Sequence, residues 1–239
     1  MPQPLENSMF HQVFFPPDSD VKKLSDQPMS LRLQRLRQYR PAEAMTLLES
    51  PVVVFDFETT GLDSGVDRIV EIGAIRLDKF VPSAEFSTLV RPDVSMGHVA
   101  ANISGITEEM LKDAPKISEV LPKFLDFFRD SILIAHNADF DMAFLKAACV
   151  REGIELSWPC FCSLKMARVL LPSLESKGLD GLAMHFGLEF EARHRSIGDV
   201  KVTCEVLRQL LGMRMGKSAF ETEDRWQEWS WKELQPFAV

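Results

Sequence analysis

The chain lacks long apolar runs, and this absence excludes a membrane-spanning class of protein. Of its 239 residues, 46% are hydrophobic and 26% are charged, a balance typical of a soluble protein. No stretch approaches the roughly 20 apolar residues that a membrane span needs. The first residues also lack a basic start followed by an apolar run, so we expect no secretory signal and a cytoplasmic location.

Cysteine is scarce as well, which excludes a disulfide framework. The four cysteines are Cys149, Cys160, Cys162 and Cys204. A single residue separates Cys160 from Cys162, whereas zinc knuckles use a longer spacing, and no second pair follows. We therefore expect free thiols in a reducing compartment.

Positive charge is in deficit, since the formal net charge is -8. This deficit argues against a protein that coats nucleic acid by charge alone, because such domains are usually basic. It is compatible with an enzyme that meets a strand end through divalent cations, which invert the local potential of clustered carboxylates. A nuclease interpretation therefore requires metal.

Three regions differ in composition. Residues 1–48 are predicted to be an extension with a short basic helix over residues 31–39, which either contacts nucleic acid or, as we favour, packs its leucines on the core. Residues 49–212 are predicted to form the main domain. Residues 213–239 form a tail rich in tryptophan, which either anchors a partner or folds back on the core.

The pattern of the main domain predicts an α/β fold, a mixed sheet flanked by helices. Apolar and β-branched runs predict strands at residues 52–55, 69–77, 85–90 and 131–135. Helical periodicity and capping signals predict a short helix opening at Thr107 and helices over residues 117–128, 139–151, 163–171, 179–186 and 198–211.

Two acidic residues follow the most apolar strand of the chain. Asp56 and Glu58 come directly after a run of four apolar residues and precede Thr-Thr-Gly. Strand alternation places both carboxylates on one face, where they repel each other unless a cation lies between them. Solvated acids at a strand end are the alternative, but the flanking residues favour a site.

Two further segments carry acids at element junctions. Asp139 and Asp141 lie where a buried strand gives way to a helix, a position that the helix dipole also favours for an acid. His194 lies in a turn-like stretch, and Asp199 begins the last amphipathic helix. Their spacing allows a loop histidine beside a helix acid, although an isolated histidine there is more often a surface residue.

Together the segments DFETTG (56–61), HNADFD (136–141) and HRSIGD (194–199) resemble the three motifs of the DEDDh, or DnaQ-like, exonuclease family, which includes the proofreading subunit of DNA polymerase III. The resemblance covers residues 50–212 in the correct order and spacing. It implies a ribonuclease H-like five-stranded mixed sheet and a 3′→5′ exonuclease.

The resemblance also implies roles for individual residues. Four acids would hold two divalent cations, Mg²⁺ or Mn²⁺ as substitute, and His194 would be the general base. The implied metal ligands are Asp56, Glu58, Asp141 and Asp199. The implied substrate contacts are Thr59, Thr60, Gly61, Leu62, Asn137 and Phe140, with Leu62 as a wedge against the last base.

Two positions depart from the family pattern. Ser104 stands where many relatives carry a histidine that touches the substrate, so that contact is in doubt. Cys162 stands where relatives often carry aspartate after the fifth strand, and we interpret it as a capping position.

The resulting hypothesis is an exonuclease acting on single-stranded or frayed DNA 3′ ends in proofreading or repair. Its alternatives are an RNA-trimming enzyme of the same group and a non-catalytic nucleic-acid-binding module. A polymerase or repair partner is a further expectation, by family analogy alone.

Overall fold

The computed structural model describes residues 49–214 and 231–239. The strands are β1 Val52–Thr59, β2 Ile69–Asp78, β3 Val81–Leu89, β4 Ile132–Ala135 and β5 Cys160–Cys162. The helices are α1 His98–Ser104, α2 Glu108–Leu111, α3 Ile117–Phe128, α4 Ala138–Arg151, α5 Ser163–Leu170, α6 Leu179–Phe186, α7 Ser196–Arg214 and α8 Trp231–Leu234, followed by a 3₁₀ turn at Gln235–Phe237.

The described strands form a five-stranded mixed sheet in the order β3-β2-β1-β4-β5. β1 is antiparallel to β2, and β2 is antiparallel to β3. β4 lies parallel to β1, and β5 lies parallel to β4. Strand β1 therefore lies at the centre of the sheet. Its carboxyl end points in the same direction as the carboxyl ends of β4 and β5.

Alternation along β1 divides the core into two layers. Val52 and Val54 pack against α5, α6 and α7 on one face of the sheet. Val53, Phe55 and Phe57 pack against α3 and α4 on the other face. The same alternation carries on past the apolar run, so Asp56 and Glu58 belong to the α7 face.

The structure confirms the predicted α/β architecture and lengthens three of the four predicted strands. The strand predicted at residues 52–55 continues to Thr59, so that Asp56 and Glu58 lie within it. The helices predicted at 117–128 and 179–186 have those bounds. The helix predicted from residue 198 instead begins at Ser196 and runs to Arg214.

Helix α1 was missed because it has no apolar stripe facing the core. Val99 and Ile103 are exposed, and the buried residue of the helix is Ser104. Flanking glycines bound it, and Gly105 ends it in the left-handed conformation with φ of 68°. A helix with this pattern produces no signal in hydrophobic periodicity.

The end of the chain folds back on the free edge of β5. Leu234 and Phe237 are buried in the core layer beneath α7. The backbone amide of Val239 donates to Cys160 O at 3.0 Å, and Ala238 forms an antiparallel bridge with Phe161. Residues 231–239 thus cover part of the β5 edge, and the role of the tryptophans in the tail stays a prediction. The predictions for residues 1–48, Trp226 and Trp229 lie outside the described residues.

The state of the cysteines and the character of the helices bear on two of the sequence-based expectations. All four thiols are free and buried. Across residues 49–214 and 231–239, no helix combines the length and the apolar character that crossing a bilayer requires.

Candidate active site

Three carboxylates meet on the α7 face at the carboxyl end of β1. Asp56 and Glu58 project from β1, and Asp199 projects from the first turn of α7. One oxygen from each lies within 4.8 Å of the other two. Asp56 and Glu58 are half-buried and Asp199 is buried, so the three charges share a space with little water.

A fourth carboxylate joins the group from the other side of the strand. Asp141 is buried in the first turn of α4, and its Oδ1 accepts a hydrogen bond from the Phe57 backbone amide at 3.1 Å. This bond ties the acid to the strand segment between Asp56 and Glu58. Asp139, two residues earlier, is exposed and pairs with Lys165 at 3.1 Å.

The pKa values of the group reflect this crowding. Burial raises the pKa of Asp56 well above its ordinary value, and the charges of Asp141, Glu58 and Asp199 raise it further. Burial raises the pKa of Glu58 to about 8, followed by repulsion from Asp199. Burial also raises the pKa of Asp141 to about 7 and the pKa of Asp199. Without a cation, the cluster therefore retains protons near neutral pH.

Two features of the cluster suit divalent cations: the chemistry of its donor atoms, and a buried carboxylate oxygen without a hydrogen-bond partner among the described residues. All its donors are carboxylate oxygens, the ligands that Mg²⁺ and Mn²⁺ prefer. Within the described residues, Asp199 Oδ1 is buried and has no hydrogen-bond partner. An acidic oxygen shielded from water beside two more carboxylates is stabilised when a cation enters.

His194 lies in the loop that leads into α7, beside this cluster. Its backbone has a φ of 59°, an uncommon conformation for a residue with a side chain. On its C-terminal side, Arg195 pairs with buried Glu71 on β2, with Nε to Oε1 at 3.0 Å. The Ser196 backbone amide donates to Glu71 Oε2 at 2.9 Å. Glu71 thus anchors the loop that carries His194.

Four of the six predicted substrate contacts lie at the end of β1 and in the loop that follows it. Thr59 Oγ1 donates to Gly61 O at 2.6 Å. The backbone amide of Thr60 donates to Arg68 O at 2.8 Å, and its carbonyl accepts from the Gly97 amide at 3.3 Å. The backbone groups of Thr60 are therefore engaged within the protein.

Gly61 and Leu62 remain as candidates for direct substrate contact in this loop. A Cβ at Gly61 would lie 2.5 Å from an Asp67 carboxylate oxygen, so a side chain here would displace the carboxylate that accepts from Thr60 Oγ1 and the Asp63 amide. Leu62 is 86% exposed. A large apolar group at the rim of a site is placed to meet a flat apolar ligand face.

Asn137 and Phe140 lie at the start of α4, on the same side as Asp141. Asn137 is exposed and has a φ of 64°, and its side chain makes no capping hydrogen bond to the helix. Phe140 is half-buried, and its ring lies 4.8 Å from that of Phe144. Asn137 is thus at the surface in the turn that carries Asp141, while Phe140 packs partly against the core layer of α4.

The two departures from the family pattern have structural roles. Ser104 is buried, donating to Ala100 O at 2.9 Å and accepting from the Ile106 amide at 3.2 Å. Cys162 is the N-cap residue of α5 but makes no side-chain capping bond, so the capping interpretation holds for its position alone. The next residue, Ser163, contacts His136 Nδ1 at 3.0 Å instead.

Sequence reasoning missed the charged residues that surround the motifs. Arg193 contacts Asp199 and Asp180, and the pair of Arg195 with Glu71 anchors the histidine loop. Arg193 and Arg195 flank His194 in sequence, and this adjacency to a motif residue could have identified them. Asp180 and Glu71 lie on other elements, and single-sequence patterns do not reveal such partners.

A mixed sheet with clustered carboxylates at the end of its central strand defines the class of metal-assisted phosphodiester nucleases. The model of the exonuclease family RNase T matches residues 53–207, well over half of the chain. The chain belongs to this exonuclease family and is an enzyme of that family.

Curated relatives agree with the family assignment. The chain is 38% identical over 169 residues to a PolC-type DNA polymerase III of Caldanaerobacter subterraneus, a match that covers 71% of this chain and 12% of the polymerase. It is 34% identical over 166 residues to the DNA polymerase III subunit epsilon of Aquifex aeolicus, covering 69% and 82% of the two chains. The chain thus spans about an eighth of the PolC-type relatives.

A solved exonuclease structure has a similar fold, in agreement with the family assignment. Exonuclease X, in complex with 5′-overhanging duplex DNA, superposes with a TM-score of 0.58 at 29% identity. The match covers 72% of this chain and 98% of exonuclease X. The predicted ribonuclease H-like architecture is confirmed.

Proposed function

We propose that the protein is a 3′→5′ exonuclease that releases nucleoside 5′-monophosphates from DNA 3′ ends. The observation that carries this proposal is the convergence of Asp56, Glu58 and Asp199 within 4.8 Å, with Asp141 tied to the same strand. In the reaction, a water oxygen bonds to phosphorus while the bond from phosphorus to the 3′ oxygen breaks. The proton of the water passes to a base.

The four carboxylates would hold two divalent cations, with Mg²⁺ as the physiological metal and Mn²⁺ as a substitute. When bound, such ions lower the pKa of the attacking water and stabilise the charge on the leaving 3′ oxygen. In support of this set, β1 carries Asp56 and Glu58, and the first turns of α7 and α4 carry Asp199 and Asp141.

His194 is the proposed general base. His194 is half-buried in the loop five residues before Asp199, and its charge acts on that carboxylate. An imidazole accepts a proton without coordinating tightly to Mg²⁺, which prefers oxygen. The anchoring of Arg195 on Glu71 limits the movement of the base during the proton transfer.

The strand end would be gripped by stacking and not by base-specific hydrogen bonds. Exposed Leu62 would pack against the terminal base, while Asn137 and Phe140 would line the same side of the pocket. Stacking tolerates every base, because each has a flat face. A wedge also favours single-stranded or frayed ends, in which the last base is already unpaired.

The relatives favour DNA over RNA as substrate. The curated relatives include PolC-type DNA polymerase III and the DNA polymerase III subunit epsilon, and exonuclease X was solved with 5′-overhanging duplex DNA. The active-site acids do not discriminate the sugar, because the 2′-hydroxyl is read by other contacts. A direct comparison of substrates is therefore needed.

The deciding experiment is digestion of a 5′-labelled single-stranded DNA oligonucleotide with Mg²⁺, with Mn²⁺ and with EDTA. A matched RNA, a blunt duplex and a duplex with a 5′ overhang run alongside. We expect a metal-dependent ladder that shortens from the 3′ end, fastest on single-stranded DNA. A faster rate on RNA would instead identify an RNA-trimming enzyme.

The chain offers a matched pair of variants for this assay. Asp141→Asn removes the buried acid bound to Phe57, whereas Asp139→Asn removes an exposed acid in the same turn. We expect Asp141→Asn to lower kcat by more than about 100-fold, the upper range for changes around metal ligands. Equal rates in the two variants would contradict the proposed ligand set.

Association with a replicative or repair polymerase in the cytoplasm is the remaining part of the proposal. It is supported by the names of the relatives, in several of which this domain occupies about an eighth of a polymerase. Co-purification of a polymerase subunit with the tagged full chain is the expected result. Recovery of the chain free of any polymerase subunit would count against it.

A further inference from the structure

Arg193 places a fixed positive charge inside the carboxylate cluster. Its Nη1 donates to Asp199 Oδ2 in a short ion pair. Its Nε and Nη2 donate to the two oxygens of Asp180 at 2.6 and 2.9 Å. The guanidinium also lies over the Phe190 ring, 4.8 Å from the ring centroid.

The Asp180 contact holds this charge independently of the cluster. A bidentate pair between arginine and a carboxylate is among the stronger hydrogen-bonded ion pairs, and the aromatic face adds to it. Asp180 lies in α6 and is not part of the cluster. The guanidinium would therefore stay close to Asp199 when a cation binds that carboxylate.

Asp199 divides its two oxygens between these roles. Oδ2 receives Arg193, while Oδ1 is buried and, among the residues that the structure describes, has no hydrogen-bond partner. The arrangement leaves one oxygen of Asp199 for a metal ion, and that ion must tolerate a nearby positive charge. Like charges at short range in a partly dry site oppose each other strongly.

We propose that Arg193 is a built-in counter-ion of the carboxylate cluster, which stabilises the metal-free fold and weakens divalent-cation binding at Asp199. The inference rests on the proposed metal-dependent function of the same four acids. The effect of Arg193 on the affinity for divalent cations is opposite to the effect of a residue that only positions Asp199. A positioning residue would strengthen metal binding, whereas a counter-ion competes with it.

The test compares the full-length protein with Arg193→Gln and Arg193→Lys. Calorimetric titration with Mn²⁺ alone gives the dissociation constant, and thermal unfolding in EDTA gives the stability of the metal-free state. For Arg193→Gln we expect Mn²⁺ to bind about three- to tenfold more tightly, an order-of-magnitude expectation for removing one partly screened charge. We expect the metal-free Tm to fall by about 2–4 °C.

Arg193→Lys and one control variant separate the effect of charge from the effect of shape. Arg193→Lys keeps the charge and should bind Mn²⁺ much as the wild type does. Arg168→Gln removes an exposed arginine from α5 and should change neither quantity. Unchanged or weaker Mn²⁺ binding by Arg193→Gln would overturn the counter-ion role while leaving the proposed function intact. Failure of the wild-type protein to bind Mn²⁺ would overturn both.

Discussion

Asp139 and Asp141 differ in environment, although they are two residues apart in one helical turn. Asp141 is buried and bonded to the Phe57 amide, so its charge belongs to the site. Asp139 is exposed and pairs with Lys165. A surface pair of this kind contributes little, because water screens it. Burial and the neighbouring strand thus decide which acid participates in the chemistry.

At the same scale, replacement of His194 tests the proposed base. We expect His194→Ala to reduce kcat by about 10²- to 10⁴-fold, the usual contribution of a positioned acid–base group. Mn²⁺ binding should persist, because the four carboxylates remain. Steady-state kinetics and Mn²⁺ titration on the same preparation make the comparison.

The matched control for that variant is His185→Ala, an exposed histidine on α6 that contacts Phe186. It should retain the wild-type rate. A rate for His194→Ala within a few-fold of wild type would remove the histidine from the mechanism.

At the scale of helices and strands, the geometry of the site depends on how closely α7 approaches the sheet. Gly73 on β2 lies opposite Asp56, and a Cβ there would lie 2.6 Å from the Ile197 backbone nitrogen. Glycine in a strand often marks such a close approach of another backbone segment. The absence of a side chain at Gly73 thus brings Asp199 within reach of β1.

Substitution of this glycine is expected to uncouple the two elements. Gly73→Ala should push the start of α7 away from the sheet, at a cost of about 1–3 kcal/mol for overpacking. Because Asp199 and His194 move with that segment, kcat should fall more than the stability loss alone explains. Urea unfolding and steady-state kinetics measure the two effects.

Gly178→Ala provides the comparison, since its added Cβ would meet nothing closer than Ser176 Oγ at 3.9 Å. It should retain activity. Wild-type kinetics for Gly73→Ala would show that the close approach is not required.

The C-terminal segment contributes to the core and not to the site. Phe237 is 4% exposed within the layer under α7, and Phe237→Ala should destabilise the protein by about 3–5 kcal/mol. Gln235→Ala, at an exposed position in the same turn, should stay within about 0.5 kcal/mol. Urea denaturation checks both variants, and equal midpoints would exclude a packing role for this segment.

At the scale of the whole molecule, the cluster links stability to pH and to metal. The pKa of Glu58 is about 8 in the folded protein and its ordinary value is 4.5. Between these values the folded metal-free protein holds a proton that the unfolded chain has lost. Stability in EDTA should therefore decline as the pH rises from 4.5 to 8.

Metal reverses this trend, because cations bind ionised carboxylates more tightly as competing protons leave. The difference in Tm between saturating Mg²⁺ and EDTA should therefore widen from pH 5 to pH 8. Scanning calorimetry across that range measures it. Glu58→Gln should flatten the EDTA curve, and a Tm difference independent of pH would argue against a metal-binding cluster.

Local patterns in the sequence were sufficient for most of the elements and for the motif positions, but they missed α1 and β5. The apolar run at residues 52–55 identified the central strand, and periodicity identified α3 and α6 with their observed bounds. Strand alternation predicted that Asp56 and Glu58 lie on one face of the sheet. These features depend on neighbours a few residues apart, which is the range that local backbone geometry controls.

The tertiary structure decided the contacts between residues distant in sequence. Phe57 meets Asp141 across 84 positions, and Glu71 meets Arg195 across 124. The sequence determined which residues carry charge and which elements they occupy. Only the packing of α4 and α7 on the sheet decided which acids are buried together and which arginine shares their space, because burial and ion pairing depend on every element that encloses the site.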